Sequence, residues 1–128
     1  RMRQLLRLIV TNGTGKKADA PGYRVGGKTG TAEVPGRGGY NRNQNVSTFA
    51  AVFPVDRPRY VVLTMIDSAQ RVEANSYQTT AAYTAAPVVS RVVQRTGSLL
   101  GVRPDLNRDI DVSDLTPLLW RGDKPAAE

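Results

Sequence analysis

Six consecutive residues could do chemistry together: Gly26, Gly27, Lys28, Thr29, Gly30 and Thr31. The lysine supplies a compact positive charge, and the two threonines supply hydroxyls that both donate and accept. The three glycines remove side chains where another chain must come close to the backbone. In an extended conformation Thr29 and Thr31 point to one face and Lys28 to the other, unless a twist or bulge re-aims them. A strand with an open edge here could pair with an extended peptide and hold its carboxylate.

Two motif readings compete for these residues. Gly22-Tyr23-Arg24-Val25-Gly26-Gly27-Lys28-Thr29 spells the P-loop pattern G-x-x-x-x-G-K-[ST]. That pattern binds phosphate only between a buried strand and a helix N-terminus. Upstream, however, lies a polar loop ending in Ala20-Pro21, and downstream Pro35-Gly36-Arg37-Gly38-Gly39 cannot be helical. The other reading is Lys28-Thr29-Gly30 as a K-T-G motif. In the longer form Gly27-Lys28-Thr29-Gly30-Thr31-Ala32 it is followed by the apolar runs Ser47–Pro54 and Pro58–Asp67. Over residues 2–120 this order resembles the end of a class B, cell-division-type penicillin-binding protein transpeptidase.

The resemblance implies a serine D,D-transpeptidase whose partners are peptidoglycan stem peptides and β-lactam antibiotics. It also implies division-machinery proteins as partners, no cofactor, and a place at the periplasmic face of a bacterial inner membrane. Within it Lys28 would lie beside the nucleophile's proton path and the substrate carboxylate. Thr29 and Thr31 would bind that carboxylate, Gly30 would admit the substrate backbone, and the Thr31 N–H would be an oxyanion donor. The chain departs from the family in lacking the other two motifs. Ser47, Ser68, Ser76, Ser90, Ser98 and Ser113 all lack a lysine three residues on, and no S-x-N occurs. The nucleophile is therefore expected in an upstream half of the domain, and this chain alone is expected to be inactive. Its sheet should then carry an unpaired edge and an uncovered face, which would make the isolated chain marginal. Alternatives outside this reading are a P-loop nucleotide binder, or a non-catalytic module of the same fold docking a division partner through residues 99–120.

Composition narrows the field further. The 128 residues contain no cysteine and no histidine, which excludes disulfides, a Ser-His-Asp triad and the common zinc sites. No apolar run is long enough to span a bilayer, so an anchor would lie outside this chain. The net charge is +7: residues 1–102 carry +9 and residues 103–128 carry −2. The arginines are scattered along the sequence without a nucleic-acid-binding motif, so a solvated basic surface is expected rather than a nucleic-acid partner.

The elements that must position the motif follow from periodicity. Met2, Leu5, Leu6 and Ile9 predict an amphipathic helix over 2–11, stopped by Asn12-Gly13. Strands are expected at 24–34, 46–53 and 59–67, with a glycine-rich loop over 35–45 beside the site. The apolar run from Tyr60 to Met65 predicts burial on both faces of the third strand. Residues 77–96 predict a helix that presents Val88, Val89, Val92 and Val93 on one face and stops at Gly97, with Pro87 either kinking it or starting its second half at a first-turn position. The fold class is α+β: an antiparallel sheet of about three strands packed with N- and C-terminal helices. Residues 1–102 form the domain portion and 103–128 an extended tail, in which Leu115, Leu118, Leu119 and Trp120 are candidate anchors.

Overall fold

The computed structural model describes residues 1–119, except for the side chains of residues 41–43. Its elements are α1 (Met2–Thr11), β1 (Gly26–Gly36), β2 (Gly39–Phe53), β3 (Tyr60–Asp67) and α2 (Ala85–Thr96), with short 3-10 turns at Lys16–Ala18, Glu73–Asn75 and Thr116–Leu118. The three strands form an antiparallel meander in the order β1-β2-β3. The register pairs Lys28 with Ala50 and Ala50 with Leu63, and Thr29 with Phe49 and Phe49 with Thr64. Alternation then gives the sheet two unlike faces.

One face forms the core. Phe49, Ala51 and Phe53 of β2 are buried against Val89 and Val93 of α2, together with Tyr23, Val25 and Val102. Gly97 ends α2 as expected, and it also lets α2 approach Tyr23, whose ring would lie 2.3 Å from an added Cβ. The other face is open. Val61, Leu63 and Met65 of β3 are 76%, 64% and 63% exposed. The expected burial of β3 on both faces is therefore not met by this chain, because both helices lie elsewhere and nothing among the described residues covers that side.

Three other expectations are corrected. The segment 35–45 is not a free loop: β1 and β2 continue as a ribbon to a turn at Arg37 and Gly38, with a register shift between Glu33 and Val34. The second helix starts at Ala85 rather than at 77, with Pro87 in its first turn. Ser76 and Tyr77 hold left-handed backbone angles, and residues 79–81 bond the sheet instead: Ser47 Oγ donates to Thr79 O at 2.7 Å and Ala81 N to Thr31 Oγ1 at 3.2 Å. In α1, Met2 and Leu5 are exposed while Arg7, Leu8 and Val10 are buried. The apolar stripe read from the sequence is thus only partly buried by this chain, since Leu6 and Ile9 are half-buried.

Arg7 explains that arrangement. Its guanidinium donates to Val25 O at 2.8 Å and to Asp19 at 2.9 Å, and grips both oxygens of Asp109. One side chain thereby joins α1, the loop before β1 and the tail. Burial works against the charge, but the bonds to Asp109 and Asp19 outweigh it and hold the Arg7 pKa above its ordinary value. The tail adds an Arg1–Asp114 ion pair and a bond from Asp105 N to Gly22 O, and Leu115 is buried on its own chain. Leu118 is exposed, and Trp120 lies outside the described residues.

A second ionic centre supports the turn after β2. Arg24, with a left-handed φ of 52°, donates to Asp56 at 2.7 Å, and Arg108 Nε lies 2.6 Å from the other Asp56 oxygen without hydrogen-bond alignment. Burial raises the Asp56 pKa, but the Arg24 hydrogen bond and the charges of Arg24 and Arg108 outweigh it, so the pKa is held below the usual carboxylate range. A depressed folded pKa stabilises the fold above the unfolded pKa and loses that contribution as pH falls through the folded one. Thermal unfolding against pH is therefore expected to show stability declining below about pH 4. Asp56→Asn should flatten part of that decline and cost about 3 kcal/mol at neutral pH, because Arg24 is left buried and unpaired. Arg7→Ala should cost about 2 kcal/mol in urea unfolding, less than a fully buried pair because both carboxylates are partly solvated.

Candidate functional site

The loop from Pro21 to Val25 aims the chain into β1, and Gly26 and Gly27 are required there by close packing. A Cβ on Gly26 would lie 2.8 Å from Val55 and 3.2 Å from Leu6. A Cβ on Gly27 would lie 2.4 Å from the Phe49 ring and 2.5 Å from Ala50 O. These two glycines therefore press the first turn of the strand onto the core. Gly30 is exposed, and a Cβ there would meet only the Thr48 hydroxyl, at 2.8 Å.

β1 pairs with β2 on one side, and among the described residues nothing pairs with its other edge. Along this strand Lys28 and Gly30 lie on the uncovered face, in one row with Ala50 and Leu63 and with Thr48 and Met65 respectively. Thr29 and Thr31 lie on the opposite face, as alternation requires. The Lys28 ammonium nevertheless turns back to the strand, donating to Thr29 O at 2.8 Å and to Thr29 Oγ1 at 3.2 Å. The Thr31 hydroxyl accepts from Ala81 N. All four motif residues thus share one stretch of open edge, with Lys28, Gly30 and Thr31 exposed and Thr29 half-buried.

The structure adds a residue from the turn that follows the Asn12-Gly13 helix stop. Thr14, in the turn after α1, places its hydroxyl 3.3 Å from that of Thr29. The turn is held by Gly13 N and Gly15 N, which both donate to Ile9 O. The signal was present in Gly13-Thr14-Gly15, but only the packing of α1 beside β1 shows that this hydroxyl reaches the motif.

The arrangement is that of an anion-holding strand edge: one ammonium, a cluster of hydroxyls and free backbone groups. It is not a phosphate cradle. The residues after Lys28-Thr29 continue as a strand, so no helix N-terminus points at the motif, and the P-loop reading is set aside.

Comparison with known proteins agrees with this geometry. The family model for the penicillin-binding protein transpeptidase domain matches residues 1–94. The probable peptidoglycan D,D-transpeptidase FtsI of Caulobacter vibrioides is 46% identical over 98 residues, covering 71% of this chain and 16% of the relative. The stage V sporulation protein D of Bacillus subtilis is 35% identical over 107 residues, covering 84% of this chain and 16% of the relative. Among solved structures, the transpeptidase domain of Burkholderia pseudomallei penicillin-binding protein 3 superposes with a TM-score of 0.68 at 33% identity, over 80% of this chain and 30% of that one. Penicillin-binding protein 3 of Mycobacterium tuberculosis, solved in complex with ampicillin, gives 0.66 at 31% identity, over 83% and 25%. The chain spans about a sixth of the length of these curated relatives. Motif, sheet and neighbours converge: this chain belongs to the penicillin-binding protein transpeptidase family.

Proposed function

We propose that this chain is the C-terminal portion of the transpeptidase domain of a class B penicillin-binding protein, acting in peptidoglycan cross-linking. The observation that carries the reading is the Lys28-Thr29-Gly30-Thr31 segment on an unpaired strand edge, with a family match over the same residues. Residues 1–102 belong to that domain and 103–128 form a tail, which over its described part is strapped back over α1 through Asp109, Asp111 and Asp114. The substrates are stem peptides ending in D-alanine, and β-lactams are mimics of that end. The parent protein sits at the bacterial inner membrane and works on the periplasmic side among division-machinery proteins. Among the described residues no helix is long and apolar enough to cross a membrane.

The chemistry is acyl transfer. A serine on the upstream half attacks the penultimate D-alanine carbonyl and expels the terminal D-alanine, and an amine of a second stem peptide takes the acyl group. The uncovered sheet face supports the placement of that half. Lys28 shares this face with exposed Leu63 and Met65. A helix laid there buries the apolar row and brings its serine to the lysine. The Thr29 carbonyl accepts the Lys28 ammonium, as a carbonyl on the open edge can. Strand alternation then puts the Thr31 N–H on that edge, where it donates to the developing oxyanion. Thr29 and Thr31 receive the substrate carboxylate, and Thr14 orients the Thr29 hydroxyl.

Labelling with a fluorescent penicillin tests the reading. This chain alone is expected to remain unlabelled, whereas the chain co-expressed with its upstream half should be labelled. Lys28→Ala in that pair should slow acylation by about 100-fold or more, the scale of losing one preorganised electrostatic group. No labelling of a folded pair would refute the assignment. Thr14→Val should slow acylation several-fold with an unchanged melting temperature, and Thr14→Ser should restore it, since only the hydroxyl is at stake. Equal rates for all three would remove Thr14 from the site.

A further inference from the structure

We propose that a basic cavity at the start of β1 is a binding site for an acidic peptide segment of a partner protein. The cavity has a volume of about 740 Å³ and is lined by Arg3, Arg24, Arg57, Arg59, Arg103 and Arg108, with Asp56 as its one acidic lining residue. These residues come from α1, the loop before β1, the β2–β3 turn and the tail. None of the motif residues Lys28, Thr29, Gly30 and Thr31 lines the cavity.

The fold accounts for only part of this charge. Arg24 and Arg108 share Asp56 between them, and Arg24 is nearly buried. Arg3 donates to the Asp56 backbone carbonyl and Arg59 to Gly101 O, contacts that satisfy hydrogen bonds but neutralise no charge. Arg57 and Arg103 are exposed and make no hydrogen bond or ion pair with any described residue. Like charges gathered around one concavity repel, and low-dielectric walls focus their field outward. Guanidinium groups also present planar forks matched to carboxylate oxygens, each able to take a bidentate partner.

The size and layout of the cavity choose the ligand class. A single small oxyanion would engage two or three guanidiniums and leave the rest uncompensated. A peptide with several carboxylates spaced along it can meet arginines from four separate segments. The cavity is open on one side, which admits a length of chain and not only one ion.

The test is fluorescence anisotropy of labelled hexaglutamate with the full-length parent protein. Binding is expected, and it should weaken as salt rises because the contacts are solvent-accessible charge pairs. Arg57→Ala with Arg103→Ala should weaken binding by tenfold or more while leaving fluorescent-penicillin labelling unchanged. Arg57→Gln alone, at an exposed turn position, should weaken it several-fold, which keeps the test available if the double variant is unstable. No binding by the wild-type protein would overturn the proposal, as would undiminished binding by the double variant. Saturable binding of pyrophosphate without binding of hexaglutamate would also overturn it in favour of a small-oxyanion site.

Discussion

The buried Arg7 guanidinium is the tie on which the geometry of the site depends. It holds the carbonyl of Val25, the residue immediately before β1, and it reaches one carboxylate on each side, Asp19 and Asp109. A guanidinium can do this because five donors leave one planar group in fixed directions, which a lysine ammonium could not reproduce. Fixing Val25 fixes where β1 begins. Gly26 and Gly27 then seat the strand against Val55 and Phe49, and the motif residues that follow have one position relative to the core. The tail, which carries Asp109, is thereby part of the same unit as the strand edge.

The second constraint is the asymmetry of the sheet. The face that bears Phe49 and Phe53 is filled by α2 and the residues around Tyr23. The face that bears Lys28 presents an apolar row of Val61, Leu63 and Met65 to solvent. Burying such side chains stabilises by about 1.5–3 kcal/mol each, so a domain that left them open would forgo a substantial part of its stability. Under the proposed function, Lys28 on that face lies where a covering element would bring the nucleophile, so that one interface would serve both stability and chemistry. The threonines face the other way but sit at the edge, where a strand-like substrate can meet both faces.

Much of the local structure was legible. The 3.6-residue period located α1 within a residue, the valine-rich stretch located the body of α2, and turn residues separated three strands. The K-T-G motif was legible as letters, and its context distinguished it from a P-loop because proline and glycine downstream exclude a helix. What misled the reading were places where tertiary bonds replaced local preference. The stripe of α1 is only partly covered, Met2 and Leu5 exposed and Leu6 and Ile9 half-buried, because Arg7 is drawn in by two carboxylates. Residues 77–84 read as helix, but left-handed angles at Ser76 and Tyr77 and the bonds of Thr79 and Ala81 to the sheet hold them off the helical path. The ribbon from 35 to 45 read as loop because glycine and proline weaken any strand signal, although an edge ribbon tolerates both.

The sequence by itself determined which residues could do chemistry, the period of each element and the family to which the motif points, because these are properties of types and spacing. Only the tertiary structure decided which groups meet. Thr14 reaches Thr29 because α1 packs beside β1. Arginines at 3, 24, 57, 59, 103 and 108, scattered along the chain, surround one cavity because the turn, the helix and the tail converge there. The uncovered face shows what the chain still requires. Side-chain meetings across a hundred residues are set by packing and by the choice of ion-pair partner, and neither is written in local spacing.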